Sequence, residues 1–254
     1  PGAKEARRID THISSVLLTP TLVFKFKRPV RFAFLDQMSD EERLLNCERE
    51  TRLNRRLAPD VYLGIRGAFR EAGGFALQEE TSGSLAACVV MHRLDEQTSL
   101  LSHLRSGRAD FSMMEQIGSV LADFHSGAER GREISGYHRF AENLNENLEV
   151  LRGISLFGEL GLARRIEAFH QALAPFVHKR DRTHCIVDGH GDLRLDHIYI
   201  EGGRVRVIDC VEFSRSIRAV DPYEDIAFAS MALRMEGRPD LAERLVTSYA
   251  SSST

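Results

Sequence analysis

The stretch Ile186-Val-Asp-Gly-His-Gly-Asp-Leu-Arg-Leu-Asp-His-Ile-Tyr-Ile200 joins two strand-like apolar runs through a dense polar loop, and Gly202-Gly-Arg-Val-Arg-Val-Ile-Asp-Cys210 follows it. A glycine pair between two such runs predicts a hairpin, and the second strand of this hairpin ends at Asp209. The loop and the hairpin could bring Asp192, His197 and Asp209 to one point. Two carboxylates and an imidazole there suit a hard divalent cation, or a cation together with a general base.

The segment His190-Gly-Asp-Leu193, followed by a hairpin and Ile208-Asp209, resembles the catalytic loop and metal-binding strand of the aminoglycoside phosphotransferase and choline kinase families, relatives of protein kinases. In that pattern the Asp of His-Gly-Asp accepts the proton of the acceptor hydroxyl, and the Asp at the next strand end holds Mg²⁺. The resemblance therefore implies an ATP-dependent enzyme in which Asp192 is the catalytic base, His190 belongs to the catalytic loop and Asp209 binds Mg²⁺.

One position departs from this pattern. Five residues after the catalytic Asp the family usually has an Asn that holds a second metal ion, whereas this chain has His197. A neutral imidazole nitrogen is a softer ligand than an amide oxygen and prefers Mn²⁺ or Zn²⁺. We expect His197 to bind the metal, with a hydrogen bond to the catalytic loop as the alternative.

The closest resemblance is to a bacterial subgroup that is often fused to a C-terminal nucleotide-binding domain. Such a domain is therefore an expected partner in the full-length protein. The chain begins without Met and stops in a polar serine run, and we expect a fragment with a truncated C-lobe.

Composition excludes several classes of protein. The net charge is −3, the basic residues are spread along the chain, and this gives no electrostatic footprint for nucleic acid. The four cysteines show no metal-ligand spacing, and no apolar stretch approaches the ~20 residues that span a bilayer. We expect a soluble cytoplasmic protein with free thiols and no membrane partner.

Five β-rich runs and one helix are predicted in the first third of the chain. The runs cover residues 14–19, 21–27, 61–70, 75–80 and 85–91, and the helix covers residues 40–57. Their order resembles a kinase N-lobe. The expected fold class is α+β, a two-lobe protein-kinase-like fold with a five-stranded N-lobe over residues 1–91 and a mainly helical C-lobe over residues 92–254. The helix has few apolar residues, so we expect it to be exposed along most of its surface.

Two lysines lie on one face of the second run, because strand side chains alternate. Lys25 is the better candidate for pairing with nucleotide phosphates, and Lys27 is close behind it; the alternative is a solvated sheet edge. Kinase-like folds need a carboxylate from the helix to hold the strand lysine. Glu50 resembles the family pattern, Glu48 is the second choice, and a surface ion pair is the alternative for either residue.

The remaining nucleotide contacts are predicted around the first hairpin and the last strand. The run that ends at Met91 enters the hinge, where backbone groups could meet an adenine ring. No G-x-G-x-x-G is present, and residues 10–15 stand where the phosphate loop belongs. Ser14 and Ser15 are therefore candidates for phosphate contact, with a plain turn as the alternative.

Helices predominate after Met91. Apolar residues at spacings of three and four predict a core-facing helix over residues 111–126, with Phe111 and Phe124 in its buried stripe. Further helices are predicted over 140–151 and 160–177, the second with a kink or an end at Pro175. Asp221-Pro-Tyr-Glu224 has the form of a capping box that begins another helix.

Asp225 lies in that largely apolar helix and would need buried donors. In the resembled family a matching Asp steadies the backbone of the catalytic loop, which implies the same supporting role here.

Three functions remain open on the sequence. The first is a kinase that transfers phosphate from ATP to a small-molecule hydroxyl acceptor. The second is a nucleotide-binding module without turnover, since His197 breaks the metal pattern. The third is a metal-dependent hydrolase that uses His190, Asp192, His197 and Asp209. The sequence does not name the acceptor; Glu212 could face an acceptor amine or be a surface carboxylate.

Overall fold

The computed structural model describes residues 6–32, 34–130, 136–154, 161–183 and 185–253. Within these ranges an antiparallel sheet lobe is followed by a mainly helical lobe. This confirms the expected α+β, two-lobe arrangement, and the two parts are called the N-lobe and the C-lobe below. Among the described helices, none has the length and apolar character needed to cross a membrane.

The N-lobe is built on a sheet of six strands instead of the expected five. Its strands are, in chain order, β1 (Arg7–Asp10), β2 (Ser14–Leu18), β3 (Leu22–Lys27), β4 (Arg31–Phe32), β5 (Leu35–Asp36), β6 (Tyr62–Glu71), β7 (Gly74–Gln78) and β8 (Ala86–His92). The sheet has the order β1-β2-β3-β8-β6-β7, and β4 and β5 form a hairpin of their own. The additional strand β1 lies at the edge with all of its residues exposed, so no apolar alternation marks it in the sequence.

Helix α1 (Asp40–Asn54) lies between β5 and β6 and begins after Ser39, whose side chain accepts a hydrogen bond from the backbone N–H of Glu42. The prediction of a mostly exposed helix is wrong for one face, on which Asn46, Glu50 and Asn54 are buried. Glu50 and Asn54 on this face are buried against polar partners, Lys25 and the backbone of Cys210. Because the buried side chains are polar, no apolar stripe in the sequence marks this face.

Strand β3 runs along the cleft between the lobes and is paired with β2 on one side and β8 on the other. Val23 lies opposite Met91, and Lys25 lies opposite Val89. At the other end of β3, Lys27 lies opposite Ser14. The hinge that leaves β8 is therefore next to the start of β3, and the two lysines are farther along the cleft.

The C-lobe helices include the predicted ones. They are α2 (Leu100–Arg105), α3 (Phe111–Gly127), α4 (Gly136–Arg152), α5 (Leu162–Arg182), α6 (Arg215–Arg218), α7 (Pro222–Met235) and α8 (Pro239–Ser252). Pro175 lies inside α5 and does not end it. The side chain of Phe140, which contributed to the prediction of α4, lies outside the described residues. Helix α7 begins with the predicted capping box of Asp221 and Glu224.

The core of the C-lobe is centred on α3. Met114, Ile117 and Leu121 are fully buried, as predicted, but Phe111 is 51 % exposed and is not part of the core. Phe111 is in the first turn, where Arg244 covers its ring. Helix α8 approaches α3 so closely at Gly118 that a Cβ there would lie 2.8 Å from a backbone nitrogen of α8.

Residues 186–210, quoted at the start of the sequence analysis, fold as a loop and a hairpin. Its strands are β9 (Val187–Asp188), β10 (Ile198–Glu201), β11 (Arg204–Val207) and β12 (Ala219–Val220). β10 and β11 pair in the predicted hairpin, which turns at Gly202 and Gly203. β9 pairs with β12. Because both residues of the turn have positive φ, glycine suits both positions.

Candidate active site

A cleft of about 790 Å³ lies between the lobes. Its lining includes Lys25 from β3, Glu50 from α1, Asp192 and His197 from the catalytic loop (residues 190–197), and Asp209 from the end of β11. The structure thus brings these five predicted site residues, together with Met91, to one cavity.

Lys25 is held between two carboxylates. Its Nζ lies 2.8 Å from Oε1 of Glu50 and 2.6 Å from Oδ1 of Asp209. Burial acts to lower the pKa of Lys25, but the charges of Asp209 and Glu50 outweigh it and raise the pKa well above the usual value. Lys25 therefore carries a fixed positive charge in the cleft. Glu48 has no part in this arrangement, and Glu50 is the residue of α1 that pairs with the strand lysine.

A second buried ion pair extends this arrangement. Lys27 lies 2.5 Å from Oε2 of Glu50 and also contacts Glu212. Both Lys27 and Glu212 are buried, so Glu212 is not a surface carboxylate. The charges alternate along the series Asp209, Lys25, Glu50, Lys27 and Glu212, and each buried charge has an opposite neighbour. Lys27 does not line the cleft; it neutralises Glu50 and Glu212 from the side of the sheet.

His190 is fully buried beneath the catalytic loop. Its Nε2 lies 3.0 Å from the carbonyl oxygen of Ile208, and its Nδ1 accepts a hydrogen bond from the backbone N–H of Asp192. Because a carbonyl only accepts and an N–H only donates, these contacts require the neutral ring with its proton on Nε2. His190 therefore ties the catalytic loop to β11 and does not touch the cleft.

The burial of His190 predicts a loss of stability below neutral pH. Burial is the largest effect and lowers the pKa of His190 to about 4, against the opposing charge of Asp225. An unfolded chain binds this proton at a pKa of about 6.5. The free energy of unfolding should therefore fall as the pH drops from about 6.5 to about 4, and this group should have no effect above that window.

Urea unfolding at about pH 7.5 and about pH 5 measures this change. In His190→Gln, whose amide can still donate to Ile208, the difference between the two pH values should be smaller than in the native protein. An equal difference in both proteins would contradict the assignment.

Asp192 and Asp209 lie on opposite sides of the His197 ring. Nδ1 of His197 is 3.0 Å from the carbonyl oxygen of Asp192 and 3.9 Å from its carboxylate. Nε2 is 3.6 Å from Oδ2 of Asp209. Since Nδ1 must donate to the carbonyl, a neutral ring presents its Nε2 lone pair to Asp209. One orientation of the His197 ring is thus compatible with both roles considered for it, a hydrogen bond to the catalytic loop through Nδ1 and metal binding through Nε2.

The two aspartates differ in their electrostatic surroundings. Burial, together with the charge of Asp209, raises the pKa of the Asp192 carboxyl, against the attraction of Arg194 and of a protonated His197. Desolvation also acts to raise the pKa of Asp209, but the charge of Lys25, with that of His197 when its ring is protonated, outweighs desolvation and holds that pKa well below the usual range. Asp192 is therefore the more basic carboxylate, and Asp209 is a permanent anion.

Asp209 has a backbone conformation that L-residues seldom adopt, with φ of 63°. Its backbone N–H donates to the hydroxyl of Tyr62, and the next N–H, of Cys210, donates to the side chain of Asn54. Such left-handed backbone costs free energy and persists where neighbouring contacts determine it. Here the contacts come from the N-lobe.

Asp225 is the buried anchor of the catalytic loop. It accepts hydrogen bonds from the backbone N–H groups of His190 and Gly191, and its Oδ2 lies 3.1 Å from Nε2 of His125. The other ring nitrogen of His125 is hydrogen-bonded to Tyr249. These are the buried donors that the sequence led us to expect. His125 and Tyr249 carry no sequence signal for this contact beyond their positions on apolar helices.

The structure places neither Ser14 nor Ser15 of β2 in the cleft, where they were predicted to contact phosphate. Ser15 donates to Asp10 on the exposed edge, and Ser14 is buried behind the cleft beside Lys27. Neither serine lines the cleft, which is bordered instead by the turn residues 11–13. The strand alternation that places Val16 on the cleft face turns Ser15 away. Met91, by contrast, lines the cleft at the hinge end.

Arg56 is a site residue that the sequence reasoning missed. Its guanidinium donates to the carbonyls of Asp188 and Gly189, directly before the catalytic loop, and to Sγ of Cys210. Arg56 follows α1 in the Arg-rich sequence 52–56, where nothing separates it from the exposed arginines. It connects the N-lobe to both halves of the site.

Comparison with known proteins shows the family of this chain. The sequence model of a family described as "Phosphotransferase enzyme family" matches residues 17–253. Uncharacterized proteins of Mycobacterium bovis and Mycobacterium tuberculosis are 34% identical to it over 254 residues, with 95% of this chain and 48% of the relative covered. The chain therefore spans about half the length of these relatives.

Several solved structures share the fold. A choline/ethanolamine kinase family protein from Mesorhizobium loti has a TM-score of 0.56 at 15% identity, covering 99% of this chain and 71% of that chain. A glucosamine kinase has a TM-score of 0.52 at 15% identity, covering 98% and 65%. Choline kinase from Cryptosporidium parvum has a TM-score of 0.56 at 11% identity, covering 98% and 73%. At these identities the likeness shows a kinase-like fold, and together with the match over residues 17–253 it leads to one conclusion: the chain belongs to the phosphotransferase enzyme family.

Proposed function

We propose that this chain is a small-molecule kinase that uses ATP and Mg²⁺ to phosphorylate a hydroxyl group. Asp192 accepts the proton of the acceptor hydroxyl while the acceptor oxygen bonds to the γ-phosphorus. The bond between the γ-phosphorus and the bridging oxygen breaks, and ADP leaves. Lys25 neutralises phosphate charge, Glu50 orients Lys25, Met91 lies beside the adenine ring, and Asp225 and His190 position the loop that carries the base.

One observation carries this proposal: Lys25, Asp209 and Asp192, the candidates for phosphate contact, metal binding and general base, line one cleft. Lys25 contacts Asp209 at 2.6 Å, and the ring of His197 separates Asp209 from Asp192. The raised pKa of Asp192 also suits a general base, because catalysis improves as the pKa of the base approaches the working pH.

Asp209 and His197 fit a divalent cation. The Asp209 side chain is 44 % exposed to the cleft, and Nε2 of His197 lies 3.6 Å from its Oδ2. Among the described residues no group of three or more His, Cys, Asp or Glu side chains is arranged to hold a metal. Mg²⁺ is commonly held by one or two carboxylates together with substrate phosphates and water. When bound, Mg²⁺ would offset the charge of the phosphates.

Titration of the native protein with Mg·ATP by calorimetry, followed by ADP release with a panel of sugars and amino alcohols, tests the proposal. Nucleotide binding and acceptor-dependent ADP release are expected. A protein that binds no Mg·ATP would overturn it.

Replacing Asp209 with Asn is expected to weaken Mg·ATP binding by at least ~1.4 kcal/mol, which is a tenfold loss of affinity. The substitution removes a charged metal ligand and leaves a neutral amide in the same space. Calorimetric titration of Mg·ATP measures the loss, with Asp123→Asn on the exposed face of α3 as the control. Unchanged binding in the Asp209 variant would remove this residue from the metal site.

Replacing His197 with Asn should shift the metal preference from Mn²⁺ toward Mg²⁺, because an amide oxygen is a harder ligand than an imidazole nitrogen. The measurement is the ratio of activities with the two metals in the native and variant proteins. Equal ratios, combined with a lower melting temperature of the variant, would indicate that His197 acts only through its hydrogen bond to Asp192.

A nucleotide-binding module without turnover is the second candidate. Two observations favour it: His197 stands where the family has Asn, and Lys25 is engaged by Asp209 itself. Mg·ATP binding with no phosphate transfer to any acceptor, and no slow hydrolysis, would support this reading.

The localisation, the partners and a fused domain complete the proposal. We propose a cytoplasmic protein without nucleic-acid or membrane partners, joined to a C-terminal nucleotide-binding domain in the full-length polypeptide. The length of the curated relatives, about twice that of this chain, supports an additional segment.

A further inference from the structure

Three phenylalanine rings form a continuous surface at one end of the cleft. The rings of Phe32 and Phe34, on the β4–β5 hairpin, are stacked with centroids 5.6 Å apart, and the ring of Phe213 lies 5.4 Å from that of Phe34. Phe34 and Phe213 line the cleft. Phe34 is 55 % exposed. These three residues are called the phenylalanine platform.

The platform lies at the end of the cleft away from the hinge. Val23 of β3 is opposite Met91 at the hinge, and Lys27 is four residues, or about 13 Å, farther along the same strand. Lys27 contacts Glu212, the residue before Phe213. The adenine end and the platform are therefore separated by the length of β3, with Lys25 between them.

The platform is also beside the catalytic base. The backbone N–H of Val211 donates to the carbonyl of His190, so the segment that leads to Phe213 runs next to the catalytic loop. On the other side of that loop, a Cβ on Gly191 would lie 3.2 Å from the carbonyl oxygen of Ile217, and Ile217 also lines the cleft. A molecule bound on the platform would have Asp192 within reach.

The charges at this end do not favour a cationic molecule. Among the described carboxylates that line the cleft, Glu50, Glu96, Asp196, Asp209 and Glu212 are each paired with a lysine or an arginine. Glu212 is buried and paired with Lys27, which leaves Asp192 as the carboxylate that faces a ligand. The rings of Phe32 and Phe34 are nearly parallel, at 8°, and the ring of Phe213 is tilted by 39° to that of Phe34. The rings contact one another and do not enclose a space for a cation.

We infer that the phenylalanine platform is the acceptor subsite and that it selects an uncharged hydroxyl compound with a flat apolar face, such as an aryl group. This inference rests on the proposed function. Aromatic rings prefer offset-stacked or edge-to-face contacts with other rings, and Phe34 offers such a face in the cleft. The platform orients the apolar part of the acceptor while its hydroxyl lies toward Asp192.

The test compares two neutral probes, phenyl β-D-glucopyranoside and methyl β-D-glucopyranoside, which differ only in the aryl group. Calorimetry with Mg·AMP-PNP present should give at least about tenfold tighter binding of the phenyl glucoside, because only this probe can stack on the platform. In Phe34→Ala and Phe213→Ala the preference should largely disappear, while AMP-PNP affinity stays the same. Phe34→Leu keeps apolar volume and should lose most of the preference as well.

The control is Phe75→Ala, which alters a phenylalanine that is 70 % exposed on β7 and should keep the native preference. Equal affinity for both glucosides, binding of neither, tighter binding of choline or glucosamine than of the phenyl glucoside, or an aryl preference that survives both alanine substitutions would each overturn the inference. A native protein that does not bind Mg·AMP-PNP would instead count against the proposed function.

Discussion

Asp192→Asn should slow phosphate transfer roughly 100- to 10,000-fold, the usual contribution of a positioned general base, and should leave the affinity for Mg·ATP nearly intact. Asn occupies the same space but does not accept the acceptor proton. Its backbone keeps the hydrogen bond to His190, so the catalytic loop should retain its shape. In kinetic terms the loss would appear in kcat, because it affects the transition state and not nucleotide binding.

The measurement is ADP release with an acceptor found active for the native protein, beside calorimetric titration of Mg·ATP. Asp123→Asn serves as the control for loss of a carboxylate, since Asp123 is exposed on α3. Substantial activity in the Asp192 variant would remove this residue from the mechanism.

Asp225→Asn should lower the free energy of unfolding by about 3 kcal/mol or more, because each buried donor left without an acceptor costs about 1–3 kcal/mol. The carboxylate of Asp225 serves two backbone N–H groups and the His125 ring, and an amide has one oxygen and an NH₂ group that faces these donors. Gly189 allows this close approach: a Cβ there would lie 2.7 Å from Oδ2 of Asp225.

Urea unfolding of the Asp225 variant and of Asp123→Asn measures the difference, and the control should change stability by less than about 0.5 kcal/mol. A folded Asp225→Asn protein should also transfer phosphate more slowly, because the loop that carries Asp192 has lost its anchor. Native stability in this variant would show that water or another donor arrangement replaces the carboxylate.

The sequence predicted most of the parts that lie within short motifs. The catalytic loop, the hairpin, the capping box of Asp221 and Glu224 and the cleft-facing side of β3 depend on local spacing and alternation, which a linear sequence records. Asp192, Asp209 and Asp225 lie in such local patterns, but their roles, and the choice of Lys25 over Lys27, came from the resemblance to the phosphotransferase families. Glu50 was found through a family pattern and not through periodicity.

The parts that were missed depend on partners far away in the chain. The buried face of α1 is polar, and only the lysines of β3 and the backbone of Cys210 explain why Glu50 and Asn54 are inside. Ser15 was misplaced because the register of β2 decides which side chains face the cleft. The pairing of Lys27 with Glu212 joins residues 185 positions apart, and no local signal predicts it.

The position of Arg56 has a mechanical consequence. Its guanidinium forms hydrogen bonds with residues on both sides of the active site, and Asn54 on the preceding turn holds the backbone of Cys210. Helix α1 also packs on the sheet, where Cys47 is fully buried with Val89. The lobes therefore have no flexible hinge beside Arg56. Rotating one lobe against the other would break hydrogen bonds to its charged guanidinium, each worth about 1.5–3 kcal/mol. These hydrogen bonds couple the two lobes into one cooperative unit.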